Sequence, residues 1–161
     1  MATLTSNYLF GLSGAYRVSS DLTSPVEPIA LRMYKQLNTG TGNNQANTFW
    51  SDTRSVAGGT ETLTLTSLTD KFGNALVFTT IKVIVIYNKS TVTTETLSIT
   101  GNFITATFAV GATGKVVYPS GIWADTAPLA GATVTVTTQD KITVNPGAAT
   151  IAYDIALIGV V

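Results

Sequence analysis

The sequence contains no cysteine and no histidine among its 161 residues. Disulfide bonds are therefore excluded, and so are the thiolate and imidazole ligands that most zinc sites use. The same absences exclude a Ser-His-Asp or Cys-His catalytic arrangement. The stability of the fold must come from packing, from strand pairing or from contacts between subunits.

Charge is also scarce. Nine Lys and Arg balance nine Asp and Glu, and charged residues make up only 11% of the chain, against about 25% in an average protein. Binding to phosphate groups needs a basic excess, so neither nucleic acid nor an anionic membrane is expected as a partner. Low charge with 45% hydrophobic residues and a mean hydropathy of +0.31 favours association, and we expect a homo-oligomer, a trimer or a dimer.

Long hydrophobic runs are missing as well. The longest are Ile84–Tyr87 and Ile155–Val161, far below the roughly 20 residues of a membrane-spanning helix. The segment Met1–Asn7 has neither the basic start nor the apolar run of a secretory signal. We therefore expect a protein made in the cytoplasm, without a membrane partner.

β-Branched residues dominate what is present, with 29 Thr, 15 Val and 11 Ile. Such side chains suit a pleated sheet and are slightly unfavourable in helices. Apolar and Thr residues alternate in Thr60–Thr66 and Ala132–Thr137, which is typical of half-buried strands. Ile81–Tyr87 is apolar on both faces after Lys82 and indicates a central strand. Further strands are predicted at Ile29–Gln36, Thr96–Thr100, Phe103–Ala109, Lys115–Tyr118, Lys141–Val144 and Thr150–Ile158.

Turn-forming residues separate these runs, as in Gly58-Gly59, Asp70–Asn74 and Asn145-Pro146-Gly147. Eight or nine short strands with this spacing, and no segment with a helical period, predict an all-β protein: an antiparallel β-sandwich or jelly roll. The period of two predicts eight side chains that point into the core. They are Leu63, Leu65, Val83, Val85, Val134, Val136, Ile155 and Leu157.

The first 28 residues differ from the rest of the chain. Ser, Gly and Pro are scattered among isolated aromatic residues, in a spacing that sustains neither a strand nor a helix. Such a segment cannot build its own core but carries apolar anchors. We predict an extended N-terminal arm at residues 1–28, followed by a single sandwich domain at 29–161. Tyr8, Phe10 and Tyr16 are expected to anchor the arm on a partner protein or on a neighbouring subunit.

The sequence contains few patterns that would indicate a catalytic site. A pair of carboxylates of the glycosidase type would have to come from Asp70, Glu95, Asp125, Asp140 or Asp154, but most of these lie in turns or beside lysines. No Asp-x-Asp-x-Asp calcium loop occurs. The glycine-bearing loop Asn38–Asn44 lacks the Gly-Lys-Ser/Thr ending of a P-loop. We predict no enzyme activity, no cofactor and no metal site.

The two tryptophans allow two interpretations. Trp50 and Trp123 each have the aromatic surface needed to stack on a sugar, which would indicate a carbohydrate-binding module. Tryptophan equally fills the end of a sandwich or a seam between subunits, where it gives a large contact area with one donor to satisfy. An exposed aromatic platform would favour the first interpretation, and burial of both residues would favour the second.

Four motifs carry a resemblance to a known family. They are Gly40–Asn47, Trp50-Ser51-Asp52-Thr53-Arg54, Leu68–Asn74 ahead of Ile81–Asn88, and Thr150–Gly159. In this order they resemble a family of small virion proteins encoded by tailed phages, over roughly residues 34–159. Relatives tend to have a Pro-Gly-Gly turn before Tyr118, where this chain has Gly111-Ala112-Thr113-Gly114. The predicted arm lies outside the resemblance.

The resemblance implies a non-enzymatic component of the virion, expected to be a head decoration or cementing protein. Its expected partner is the major capsid protein or another virion protein. The alternative is a tail or head appendage that binds a host carbohydrate receptor through Trp50 or Trp123.

Overall fold

The computed structural model of the protein describes residues 4–17, 26–108 and 114–161. Strands account for most of these residues, so the all-β prediction is confirmed. The strands are β1 (Ser6–Arg17), β2 (Val26–Thr39), β3 (Gln45–Ala46), β4 (Thr48–Ala57), β5 (Glu61–Thr64), β6 (Leu68–Thr69), β7 (Ala75–Leu76), β8 (Thr80–Asn88), β9 (Leu97–Thr100), β10 (Lys115–Val117), β11 (Ile122–Thr126), β12 (Ala132–Thr133), β13 (Lys141–Asn145) and β14 (Thr150–Val160). A helix of about a turn and a half, α1 (Asn102–Thr107), lies between β9 and β10.

Two antiparallel sheets form the body of the molecule. The first has the strand order β11-β8-β14-β4, with β12 added beside β8, and the second has the order β10-β9-β13-β5. Buried side chains from both sheets form one hydrophobic cluster, which includes Ile86 and Leu157 of the first sheet and Ile99 and Val144 of the second. This arrangement is sandwich-like, since each sheet contributes one face to a shared core.

The pairing of the eight main strands is nested. The outermost pair is β4 with β14, the next is β5 with β13, then β8 with β11, and the innermost is β9 with β10. All four pairs are antiparallel. Two further ladders, β8 with β14 and β9 with β13, join these pairs into the two sheets.

Most of the predicted core is confirmed, but the register of β8 is not. Leu63, Leu65, Val134, Ile155 and Leu157 are buried in the main cluster. In β8 the main core receives Ile84 and Ile86, whereas Val83 and Val85 lie on the opposite face, in a second cluster. Val136 is 61% exposed because β12 ends at Thr133 and the chain turns at Thr137, where φ is +67°.

The strand predicted at Phe103–Ala109 is wrong, since Asn102–Thr107 form α1. Phe103 and Ile104 are neighbours in sequence and both are buried, which a strand with one core face does not allow. The Oγ1 atoms of Thr105 and Thr107 donate to the carbonyl oxygens four residues earlier, at 3.1 and 2.6 Å. Burial of Phe103 and Ile104 in the core offsets the weak helix propensity of threonine.

The spacing of residues in the N-terminal segment indicates neither a strand nor a helix, but its described part is a regular strand. Ser6–Arg17 form a continuous antiparallel ladder with Val26–Leu37, from Ser6 opposite Leu37 to Arg17 opposite Val26. The predicted strand Ile29–Gln36 is the central part of β2, so the boundary predicted between residues 28 and 29 falls inside that strand. The rest of the predicted arm, residues 1–3 and 18–25, lies outside the described residues, as do residues 111–113 of the Gly111–Gly114 loop.

A buried lysine fastens the base of this hairpin to the body. Lys82 of β8 is 1% exposed, and its Nζ donates to the carbonyl oxygens of Leu129 at 2.5 Å and Gly42 at 3.4 Å. Burial lowers the pKa of Lys82. The backbone N–H of Asn44 donates to the Pro128 carbonyl at 2.8 Å, which joins the same two loops. The loop after β2 is thus held by polar contacts on its inner side.

Candidate interaction surface

The β1–β2 hairpin has two chemically different faces. Side chains alternate across a strand, and the register places Tyr8, Phe10 and Leu12 on the same face as Leu31 and Met33. This face also includes Ile29 and, opposite Tyr8 near the base of the hairpin, Lys35; it is called the apolar face. The opposite face is mixed: the apolar pairs Leu9 with Tyr34 and Ala15 with Pro28 alternate with polar residues, which are Asn7, Ser13, Arg32 and Gln36.

The base of the apolar face packs on the body of the same chain. Leu37 and Ala46 are fully buried with Val83 of β8 and Ile158 of β14, and Tyr8 packs against this group. Val83 and Ile158 lie on the outer face of the first sheet, which explains why β8 is apolar on both sides. The hairpin therefore covers part of the outer face, as one layer laid on another.

Farther from its base the hairpin reaches the edge of that sheet. Phe10 and Met33 border a pocket of about 260 Å³ together with Ala124, Asp125 and Thr126 of β11. The rings of Tyr8 and Phe10 lie 5.8 Å apart. Because β11 is the edge strand of the first sheet, the hairpin crosses the sheet from β14 and β8 to its margin.

Beyond this point the apolar face has no cover within the described residues. Leu12 and Leu31 form a cross-strand pair and are 64% and 58% exposed, and the adjacent Ile29 is 51% exposed. An isolated two-stranded hairpin is at best marginally stable in water. Cover by a second surface would therefore stabilise the distal half of the hairpin.

The predicted anchors occupy different parts of the hairpin. Tyr8 and Phe10 are partly buried and face the chain's own body. Tyr16 is placed in β1 opposite Glu27, and its side chain lies outside the described part of the structure. The exposed residues Leu12, Ile29 and Leu31 were not singled out by the sequence, although the alternation within Ile29–Gln36 is a signal for two of them.

The described residues leave the other half of the outer face open. A groove of about 420 Å³ runs over β4, β14 and β8, with Val85, Tyr87 and Ala156 on its apolar part and Ser51, Thr53, Lys71 and Asp154 on its polar part. The Oγ1 of Thr53 donates to Asp154 at 2.6 Å, and Lys89 lies 3.3 Å from the same carboxylate oxygen. These bonds lower the pKa of Asp154 against the opposing effect of burial, so the carboxylate is ionised and already paired.

An exposed phenylalanine stands beside this groove. Phe72 is 90% exposed at the tip of the turn Asp70–Asn74. The carboxylate of Asp70 accepts hydrogen bonds from the Nδ2 of Asn74 and from the backbone N–H groups of Asn74 and Phe72, at 2.8–2.9 Å. The bonds from Asn74 are the main reason why the pKa of Asp70 is lowered. Turn chemistry predicted this loop, but not that it presents an aromatic ring to solvent.

A network of charged side chains lies on the side of β4 that faces away from the groove. The Nε of Arg54 donates to Glu61 Oε1 and its Nη1 donates to Asp52 Oδ2, both at 2.7 Å, while the Tyr153 hydroxyl donates to Glu61 Oε2 at 2.7 Å. The hydrogen bond to Glu61 raises the pKa of Arg54. Burial works against ionisation of Glu61, but the bonds from Arg54 and Tyr153 outweigh it and lower its pKa. Both Glu61 oxygens are engaged, so this carboxylate is not poised as a general acid.

The Tyr153 hydroxyl should make stability fall in alkaline solution. Burial first, and then the bond to Glu61, raise its pKa far above the ordinary value near 10. The folded state keeps this proton where the unfolded state releases it, so the contribution is complete below about pH 10 and is lost as the pH rises further. Tyr153→Phe should lower the free energy of unfolding by about 1–3 kcal/mol near neutral pH. It should also reduce the decrease of that free energy with pH above about pH 10. Urea unfolding across this range, with exposed Tyr118→Phe as control, measures both; an unchanged slope in Tyr153→Phe would refute the assignment.

Neither tryptophan ring is fully exposed to solvent. Trp50 is 5% exposed in the main core, and its Nε1 donates to the Thr69 carbonyl at 3.0 Å. Trp123 is half-buried, and its ring meets that of Phe108 edge to face at 6.2 Å. Burial of Trp50 leaves it no exposed ring face for stacking on a sugar.

The candidate carboxylates are spread over the molecule. Asp140 is buried and accepts from the backbone N–H of Thr137 at 3.0 Å, Glu95 accepts from the Ser90 hydroxyl at 2.5 Å, and Asp70 holds its own turn. Within residues 4–17, 26–108 and 114–161, no three acidic side chains are grouped as metal ligands would be. The helix in the described part of the chain is too short to cross a membrane.

Comparisons with models of protein families, with curated proteins and with solved structures give no match to this chain. The geometry of the described residues therefore carries the functional argument.

Proposed function

We propose that the protein is a non-enzymatic structural component of a virus particle, a decoration or cementing protein that lies on the assembled head. The observation that carries the proposal is the exposed distal half of the hairpin's apolar face. Full burial of a side chain such as Leu12, Ile29 or Leu31 contributes on the order of 1.5–3 kcal/mol. Three such residues lie side by side on one exposed face of the hairpin, which favours docking against another surface.

The remaining chemistry is consistent with a structural role. The Arg54–Glu61–Tyr153 network is satisfied internally, and Asp154 is paired with Thr53 and Lys89. Ionisable groups at catalytic sites usually have a perturbed pKa and remain accessible to a substrate, whereas these groups already have hydrogen-bond partners within the protein. The carbohydrate-binding alternative has less support, since Trp50 lies in the core.

We further propose that the body is a jelly roll. Numbered in chain order, the eight main strands β4, β5, β8, β9, β10, β11, β13 and β14 pair as first with eighth, second with seventh, third with sixth and fourth with fifth. A long antiparallel hairpin that is wrapped into two sheets gives this order. Jelly rolls are frequent in viral capsid proteins and also in lectins and cupins, so the topology supports the proposal without deciding it.

The test uses heads of the parent virus assembled without this protein. The purified chain is mixed with the heads, and occupancy is measured by co-sedimentation and gel densitometry. We expect saturable binding, and we expect decorated heads to release their genome at a higher temperature than bare heads. The proposal would be refuted if the chain did not bind to heads that carry no other decoration protein.

Two matched variants test the hairpin. Leu12→Lys/Leu31→Glu replaces a cross-strand pair on the apolar face with an opposite-charge pair that still supports the hairpin. Leu9→Lys/Tyr34→Glu makes the same change on the other face, where the residues are exposed to a similar degree. We expect the first variant to lose more than about tenfold in affinity, equivalent to 1.4 kcal/mol, and the second to bind nearly as the parent does. Equal losses would show that the apolar face is not the contact.

A further inference from the structure

We infer that the β1–β2 hairpin docks reversibly on the body and that Lys82 sets the balance, because its ammonium group is buried only while the hairpin is docked. The inference goes beyond the proposed function and does not depend on it. The moving part, called the hairpin unit, consists of β1, β2, β3 and the loop 40–44. Its release uncovers Tyr8 and Leu37 on the unit and Val83 on the body.

The hairpin unit carries its own backbone hydrogen bonds. β1 pairs with β2, and β2 pairs with β3, in a sheet of three strands that is separate from the sheets of the body. The N–H of Asn38 donates to the Asn44 carbonyl at 3.0 Å, and the N–H of Gly40 donates to the Ala46 carbonyl at 3.2 Å, so the loop is closed onto β2. The unit can therefore move as one piece without breaking a ladder of the described sheets.

Asn47, between β3 and β4, marks the end of the unit. Its backbone N–H donates to the Gly159 carbonyl at 3.0 Å. Its side chain forms two further bonds with the backbone of Val161, at 3.0 and 3.2 Å. Asn47 thus stays with the end of β14, and the pivot of the motion lies between Ala46 and Asn47.

The docking contact is a small apolar cluster separate from the main core. Leu37 and Ala46 of the unit are buried there against the outer face of the first sheet. Farther out, Phe10 and Met33 face β11 across a pocket of about 260 Å³. One backbone bond, from the loop to the Pro128 carbonyl, adds a polar contact. Segments held by few buried apolar contacts open more readily than the rest of a protein.

A β-bulge directs the Lys82 side chain toward this contact. The ladder between β8 and β14 pairs Ile81 and Val83 with successive residues of β14 and leaves Lys82 without a partner. Bulges re-aim side chains in this way. The carbon chain of Lys82 passes Gly131, where an added Cβ would lie 3.1–3.2 Å from its Cδ and Cε. Its ammonium group then lies between the loop 40–44 and the carbonyl of Leu129.

This ammonium group has acceptors but no counterion in the described part of the chain. Its two acceptors are the carbonyl oxygens of Gly42 and Leu129, and no carboxylate forms a salt bridge with it there. Two carbonyl bonds offset only part of the cost of removing a charge from water. Burial accordingly lowers the pKa of Lys82. Release of the hairpin unit returns the ammonium to water and removes this cost.

The two acceptors lose little on release or on removal of the charge. Gly42 and Leu129 are themselves exposed residues, so water can replace Lys82 as the donor to their carbonyl groups. A methionine at position 82 has a similar length and needs no donor or acceptor. Lys82→Met should therefore shift the balance toward the docked state.

The accessibility of an introduced thiol measures release, because the chain has no cysteine of its own. Val83→Cys places a thiol beneath the hairpin unit, and Val144→Cys places one between the two sheets of the body. The parent residues are 2% and 0% exposed, and both lie in strands with a neighbour on each side. Each folded variant is treated with a chromogenic aromatic disulfide at several urea concentrations below the unfolding transition. Urea unfolding of the same variants gives the rate expected from global unfolding alone.

We expect the Val83→Cys thiol to react at least about tenfold faster than the Val144→Cys thiol, at a rate that changes little in low urea. Lys82→Met should slow the reaction of Val83→Cys at least about tenfold. The control Lys71→Met removes an exposed ammonium group and should leave that rate unchanged.

Two outcomes would overturn the inference. Equal rates for the two thiols would mean that the hairpin unit leaves only when the body unfolds. A Val83→Cys rate that Lys82→Met does not lower would mean that Lys82 does not set the balance. No virus heads enter the measurement, so its result and that of the head-binding test are independent.

Discussion

Replacement of Asn88 by Asp should destabilise the protein by about 3–5 kcal/mol, a large part of the 5–15 kcal/mol typical of a domain. Asn88 is fully buried at the end of β8. Its Nδ2 donates to the carbonyl oxygens of Glu95 and Val117 at 2.9 and 3.1 Å, and its Oδ1 accepts from the Ser90 N–H at 3.0 Å. A carboxylate keeps the acceptor but turns the donor into a second acceptor that faces two carbonyl oxygens.

Asn145→Asp is the matched control, because the Oδ1 of Asn145 accepts from the Gly147 N–H at 2.7 Å and an aspartate preserves that bond. We expect its free energy of unfolding to change by less than about 0.5 kcal/mol. Urea unfolding followed by tryptophan fluorescence measures both variants. The cost of Asn88→Asp should shrink in acid, where the protonated carboxyl regains one donor. Similar stabilities for the two variants would refute the role assigned to the Asn88 amide.

Gly101→Ala should be the second severe substitution, with an expected cost of about 3–5 kcal/mol. Gly101 connects β9 to α1 with φ at +103°, a conformation that an L-residue rarely adopts. An added Cβ would also collide with the carbonyl group of Lys141 and lie 2.9 Å from the Thr143 nitrogen, both part of the β13 backbone. Because backbone atoms cannot rotate away, α1 or β13 would have to shift.

Gly73→Ala separates the two causes. Gly73 has φ at +87°, yet nothing lies within 4 Å of the position of its missing Cβ. Only the conformational cost applies there, about 1–2 kcal/mol. Thermal and urea unfolding should rank Gly101→Ala well below Gly73→Ala in stability. Equal costs would mean that backbone conformation alone explains the glycine at position 101.

Strands with a clear composition could be predicted from the sequence. β8 and β14 are rich in Ile and Val, and the turn at Asn145-Pro146-Gly147 separates β13 from β14. The register of β8 could not be predicted, because both of its faces are apolar and alternation then gives no direction. The cause lies elsewhere in the chain: Tyr8 and Leu37 of the hairpin cover Val83.

Two long strands escaped prediction for different reasons. β4 contains Ser51, Asp52, Thr53 and Arg54, whose polar side chains are explained only by the network with Glu61 and by the groove. β1 contains Gly11 and Gly14, which weaken any strand pattern read from one segment alone. The backbone hydrogen bonds of β1 are made with β2. No sequence pattern within β1 indicates that partner.

The candidate surface was predicted only in outline. The N-terminal segment was expected to carry apolar anchors, but Tyr8 and Phe10 turn toward the chain's own body. Leu12, Leu31 and Phe72 became candidates only when exposure was known. A sequence lists apolar residues without saying which of them remain uncovered, since that depends on contacts between distant segments.

The central position of β14 has a consequence for how the protein is made. β14 pairs on one side with β4, from Thr48 opposite Gly159 to Ala57 opposite Thr150, and on the other side with β8. Until a ribosome has released residues 150–160, both of those strands lack a neighbour on one side and leave a row of backbone N–H and C=O groups unpaired. Contacts between such distant positions form slowly. We therefore expect folding to follow synthesis of this strand, and the nascent chain to need protection from aggregation until then.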